Sequence, residues 1–180
     1  MILWRSLSNA FAGWLLILRS DPTWREQFRL TWPGLFTSLV IFLFMAFLAI
    51  AMASTYQGMP GGFAILDALL AQCLWIAAVL IAIRLTAFAI KSDVATLDLL
   101  IPAIYLLVFY LAVGSVLNLA APLAVLLLTL LLLWPFYQLG RVVAGWPAAN
   151  AAIFAVMTLV LLVGMPQALY MLSNFAGPST

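Results

Sequence analysis

The chain has no histidine and a single cysteine, Cys73. Without histidine it lacks the commonest metal ligand and the commonest general base. A lone cysteine closes no intramolecular disulfide and cannot make a metal site. Charge is scarce as well. Charged residues are 7% of the chain, against about 25% in a soluble domain. The net charge of +2 is too small to point to nucleic acid. Sequence signatures of catalysis are missing too: no HExxH, no nucleophile elbow, no phosphate-binding glycine loop and no acid cluster for Mg²⁺. The sequence therefore leads to no catalytic residue, no cofactor and no metal, and the expectation is a protein that is not an enzyme.

What is present is hydrophobic. Apolar residues make up 68% of the 180, and a water-covered surface cannot be built from so few charges. Lipid must cover most of the molecule. The length accommodates about five or six spans of ~20 residues, with no room for a soluble domain. Residues 63–119 organise the rest. Two apolar runs flank the polar break KSDVAT, and Asp67, Arg84, Lys91, Asp93 and Asp98 all lie here. This is the pattern of a transmembrane hairpin with a charged turn.

Five long apolar runs cover residues 35–54, 63–90, 97–119, 122–139 and 147–172. Each has the length that crosses ~30 Å of hydrocarbon. A backbone in lipid must satisfy its own hydrogen bonds, so the runs are helices; the alternation of a transmembrane barrel is not seen. The expected fold is an all-α membrane protein, a five-helix transmembrane bundle over residues 33–172. One or two short interfacial amphipathic helices precede it in residues 1–32, and a short tail, 173–180, follows. The links STYQGMPGG, KSDVAT, Ala120-Ala121 and RVVAGW are short, which makes neighbouring spans antiparallel. No internal repeat is seen, and five spans do not divide into the equal inverted halves of common secondary transporters.

Residues 1–19 carry apolar side chains at helical spacing: Trp4, Leu7, Phe11, Trp14 or Leu15, and Leu18. The segment lacks the basic start and small-residue cleavage site of a signal peptide. It reads as a helix along the membrane surface, with a terminus packed on the bundle as the alternative. Asp21 followed by Pro22 marks a second helix start. Trp24 and Phe28 share its apolar face, Arg25, Glu26 and Arg29 lie opposite, and Trp32-Pro33-Gly34 breaks the pattern.

All seven basic residues fall on one side of a five-span layout. Arg5, Arg19, Arg25 and Arg29 precede the first span, Arg84 and Lys91 end the second, and Arg141 ends the fourth. The positive-inside rule then puts the N-terminus in the cytoplasm and the C-terminus outside, as in a bacterial inner membrane with a periplasmic C-terminus. Trp4, Trp14, Trp24, Trp32, Trp134 and Trp146 map to the cytoplasmic interface. The expected partners are membrane lipids, anionic ones on the cytoplasmic leaflet, and other membrane proteins or further copies of the chain.

Arg84 stands inside a span, where a charge costs at least ~2.5 kcal/mol at the centre. It lies ~10 Å of helix rise from Lys91, so it can snorkel, contact a lipid headgroup, or pair with Asp98 on the next span. Asp67 reads as a first-turn acid near a helix N-terminus, with Gln72 and Cys73 packing or hydrogen-bonding below it. Asp98, Pro102, Tyr105 and Phe109 form a stripe on the third span, a core face or a cavity wall. Pro102, Pro135 and Pro166 are potential kinks. Ala148, Ala151, Ala152 and Ala155 are small residues at close-packing spacing. The leucine-rich fourth span is apolar all round and faces lipid.

The lead-in WREQFRLTWPG, the five spans, and the turns KSDVAT and RVVAGW together resemble the bacterial members of the Yip-type family over residues 20–172. The acidic and glycine-tyrosine signatures of the eukaryotic members are missing. The resemblance implies a non-enzymatic protein of membrane organisation or trafficking, and it transfers no site residues. The leading expectation is an accessory or membrane-organising subunit that binds membrane proteins or lipid. A small transporter or channel for a lipid-like or small solute is the alternative. Polar residues concentrated at span ends rather than mid-membrane favour the first.

Overall fold

The computed structural model describes residues 2–57 and 62–176, and all the secondary structure it describes is helical. Helix α1 covers Ile2–Leu18 and is followed by a short 3-10 helix, Pro22–Gln27. Then come α2 (Trp32–Gln57), α3 (Gly62–Ala89) and α4 (Thr96–Ala120). Helices α5 (Pro122–Leu131) and α6 (Leu133–Gln138) run into a π-helical turn, Leu139–Val143, and α7 covers Ala148–Ala176. Five stretches are long and apolar enough to cross a membrane: Trp32–Ser54, Ile65–Ala89, Thr96–Ala120, Leu123–Val143 and Ala148–Met171. This is the expected five-span membrane protein.

Helix α4 is the axis of the bundle. Within the protein 67% of its span is buried, against 17–28% in the other four. Every residue from Leu99 to Val108 is buried, because α1, α2, α3, α5 and the π turn all pack against α4. The remaining spans present Phe36, Phe44, Phe88, Leu123, Leu127 and Val160, among others, on the outside. Such apolar surface suits the interior of a membrane rather than water.

Several boundaries differ from the sequence reading. Trp32-Pro33-Gly34 starts α2 instead of separating it from the lead-in. Proline costs nothing in a first helical turn, where its missing N–H has no partner to lose. Thr31 caps the turn: its carbonyl accepts from Leu35 N and its hydroxyl from Gly34 N. Helix α2 continues to Gln57 and α3 begins at Gly62, so much of the expected loop is helical; residues 58–61 lie outside the described residues. Helix α7 runs past Leu172 to Ala176, and residues 177–180 of the expected tail also lie outside the description.

The fourth span is broken rather than continuous. Pro135 has no N–H to offer the carbonyl of Leu131, the last residue of α5. The π turn that follows places Gly140 against α7, where an added Cβ would stand 3.0 Å from the Cβ of Ala151. Gly145 then takes a left-handed φ of 66° and turns the chain into α7. Of the four alanines expected to pack closely, Ala151 and Ala155 are buried while Ala148 and Ala152 are exposed. The buried face of α7 is instead Ala151, Phe154, Ala155, Thr158 and Leu162.

Helices α1 and α3 both end with a non-glycine residue in the left-handed region, Ser20 and Lys91. Each end makes the paired bonds of a Schellman turn: Ser20 N to Ile17 O with Asp21 N to Leu16 O, and Lys91 N to Phe88 O with Ser92 N to Ala87 O.

Candidate functional site

The charged end of the bundle is assembled by the segment between α1 and α2. Asp21 caps the 3-10 helix through its carboxylate, which accepts from the Thr23 amide at 2.9 Å and hydroxyl at 2.7 Å. The Thr23 hydroxyl first, and the amide second, hold this exposed carboxyl below its ordinary pKa. Trp24 and Phe28 turn inward, 3% and 6% exposed, and their rings lie 6.2 Å apart. Phe28 packs on Tyr105 and against Gly13, where an added Cβ would meet the ring at 2.4 Å. This apolar face clamps the segment over the first turns of α4, and its opposite face delivers the arginines.

Arg25 Nη2 donates to Asp98 Oδ2 at 2.9 Å. Asp98 sits in the first turn of α4, where the unpaired amides favour an anion. The expected partner, Arg84, does not reach it. Ala78, Val79, Ala82, Ile83 and Thr86 form the buried face of α3, and Arg84 points outward from the opposite side. Arg84 thus faces away from the side of α3 that the bundle buries, and Asp98 takes Arg25 as its partner. Lys91 is exposed at the α3 end, and Asp67 is exposed on the second turn of α3.

Helix α1 is docked on the bundle. Ala10, Trp14 and Ile17 are buried, and the Trp14 indole N–H donates to the Pro102 carbonyl at 2.9 Å. Phe11 meets Phe109 edge-on at 5.8 Å. The tryptophans of this end thus divide. Trp4, Trp32 and Trp134 are exposed, whereas Trp14, Trp24 and Trp146 are core residues. Trp146 donates to the Ser92 hydroxyl at 3.1 Å and packs edge-on against Phe154, joining the two connections RVVAGW and KSDVAT.

Two arginine-lined cavities flank the 3-10 helix. The first, about 350 Å³, lies beneath α1 and is lined by Arg5, Ser6, Asn9, Gln27, Arg29, Thr37 and Tyr105, among others. It brings together Arg5, Arg29 and Tyr105, which the sequence reading named separately. The second, about 730 Å³, is lined by Ser20, Trp24, Arg25, Trp134, Tyr137, Gln138 and Arg141, among others. Arg141 Nη1 donates to the Trp146 carbonyl at 2.9 Å, which holds the guanidinium beside the cavity. Arg19 is exposed at the end of α1.

The sequence reading missed the second cavity. Its signal was the run Trp134, Tyr137, Gln138, Arg141, an aromatic-to-basic stripe at three- and four-residue spacing. A separate polar cluster lies in the other half of the bundle. The Tyr110 and Thr129 hydroxyls meet at 2.8 Å. Nearby, Gln72 Oε1 is buried with no hydrogen-bond partner among the described residues and lines a cavity of about 220 Å³ with Trp75, Tyr110, Ser115 and Asn118. Cys73 beside it is exposed rather than packed inside. Among the described residues no group of histidine, cysteine or acids is placed to hold a metal ion.

Comparison with family models, with characterised proteins and with solved structures finds no match to this chain.

Proposed function

We propose that this integral membrane protein is a non-catalytic, membrane-organising subunit of a bacterial inner membrane that holds anionic lipid at its cytoplasmic end. The observation that carries the reading is the pair of arginine-lined cavities on either side of the 3-10 helix. Each presents two guanidinium groups, Arg5 with Arg29 and Arg25 with Arg141, at the end of the bundle where the basic residues gather. A guanidinium offers five N–H donors in a fork that matches phosphate. At the inner leaflet each such group adds about 1 kcal/mol of attraction for anionic lipid. The packed, apolar surroundings of α4 at this end fit a protein that anchors lipid rather than passing solute. The Yip-type resemblance points the same way, toward membrane organisation.

The test is purification of the full chain from native membranes in a mild detergent or in polymer discs, followed by mass spectrometry of the retained lipid. Anionic phospholipid should be enriched over its share of the source membrane. A retained pool with the bulk composition would sink the reading.

A transport role is the second reading, favoured by the unpartnered Gln72 oxygen beside its cavity. It requires that Gln72→Leu abolish uptake or efflux of a solute by vesicles carrying the chain, and a stable variant with no such loss would count against it.

A further inference from the structure

The second arginine cavity adjoins a further groove. Trp134 and Tyr137 line the cavity, and the same two residues line an apolar groove of about 430 Å³. That groove continues between α5–α6 and α7, with Leu130, Leu131 and Leu133 on one wall and Ala152, Ala155 and Val156 on the other. We infer that the two form one binding site for a single anionic glycerophospholipid, its phosphate between Arg25 and Arg141 and one acyl chain in the groove below Trp134 and Tyr137.

Four features fit that occupant. The arginines are aimed beforehand: Asp98 holds Arg25 through one nitrogen and the Trp146 carbonyl holds Arg141 through another, which leaves N–H groups of each fork for a phosphate. The wall between head and tail is aromatic, with the Trp134 and Tyr137 rings 5.8 Å apart, and such rings favour headgroup level. The depth is right. Leu130 is eleven residues before Arg141, so across the break and the π turn the two lie at most about 16 Å apart along the span, within one leaflet of a ~30 Å hydrocarbon core. The floor is low because Ala152 and Ala155 are small, while Trp134 and Val156 rise on either side, each more than half exposed. A small soluble anion would use the arginines but leave the groove bare.

This inference rests on the lipid-binding reading and narrows it to one site. The experiment places the full chain in nanodiscs with a phosphatidylglycerol that carries a photoreactive acyl chain, and maps the adducts by mass spectrometry. Adducts should concentrate on residues 130–134 and 152–156. Unlabelled phosphatidylglycerol should compete and phosphatidylcholine should not. Arg141→Gln should lower labelling about fivefold, the factor that ~1 kcal/mol per arginine implies. Ala152→Phe, at an exposed position, should fill the groove and remove the adducts while the chain still elutes as a single species. Adducts spread evenly over the lipid-facing helices would overturn the site. If anionic lipid is still enriched in the purified protein, the broader reading survives that result. Competition by millimolar inorganic phosphate equal to that by lipid would also overturn it, because the site would then recognise a free anion.

Discussion

Arg25 and Asp98 lie 73 residues apart in sequence and meet at 2.9 Å. The pair fastens the segment before the first span to the first turn of the most buried helix. The Asp98 side chain is 16% exposed and that of Arg25 is 59% exposed, so water screens the pair. Its coupling should fall in the range of exposed bridges, about 0.2–1 kcal/mol. A double-mutant cycle with Arg25→Gln and Asp98→Asn, read by unfolding in detergent, should give that coupling. The same cycle with Arg84→Gln should be additive, since the two groups share no partner. Coupling of Asp98 to Arg84 but not to Arg25 would reverse the assignment.

The difference between those two arginines shows how far the sequence could be read. Apolar run length and basic-residue placement are local quantities, and they were enough for the five spans and for a charged end. The end of the bundle was legible too: by span order, Arg84, Asp98 and the lead-in arginines all fall toward the same end. Azimuth was not. Which way Arg84 points depends on which face of α3 the bundle buries, and the apolar residues of α3 favour no one face. The docking of residues 22–29 over α4 rests on Trp24, Phe28 and Gly13 fitting one another, a tertiary match that periodicity does not reveal. The broken fourth span was half visible. Pro135 was seen as a possible kink, but the π turn depends on Gly140 meeting Ala151 across two elements.

Helix α1 should owe part of its attachment to one buried hydrogen bond, from the Trp14 indole to the Pro102 carbonyl. Trp14→Phe keeps most of the apolar area and removes the donor, at a cost of about 0.5–1.5 kcal/mol. Trp4 is 77% exposed, and Trp4→Phe should stay within about 0.5 kcal/mol of the parent. Limited proteolysis of residues 1–19 in detergent should accelerate for the first variant alone. Equal cleavage of both would mean that the bond contributes nothing to docking.

The clustering of basic residues at one end of the bundle predicts a cytoplasmic N-terminus. A reporter active only in the periplasm should be active when fused after Thr180 and silent when fused after Asp93. Loss of Arg5, Arg19, Arg25 and Arg29 together should weaken that preference, because positive residues flanking the first span dominate insertion. The reverse activity pattern would show that the arginine cavities face the periplasm, and an anionic inner leaflet would then be irrelevant to them.

Gly34 is the position where the charged end leaves least room. A Cβ built there would stand 1.9 Å from the Arg29 carbonyl oxygen and 2.9 Å from the Arg29 Cβ. The obstacle is backbone, which cannot swing aside as a flexible side chain would. Gly34→Ala must push the Arg29 segment away from the start of α2, and Arg29 is a wall of the first arginine cavity. The cost should sit at the upper end of the usual overpacking range, about 2–3 kcal/mol. Gly164 is the internal comparison. It lies in α7 with nothing within 4 Å of a built Cβ, and Gly164→Ala should be neutral or stabilise by up to about 1 kcal/mol through helix propensity. Thermal unfolding in detergent separates the two, and lipid analysis adds an independent readout. Gly34→Ala should retain less anionic lipid even at temperatures where it stays folded, because one of the two guanidinium groups has been displaced. If Gly34→Ala matched Gly164→Ala in both measurements, the contact between α2 and the lead-in would not have the closeness that defines this cavity.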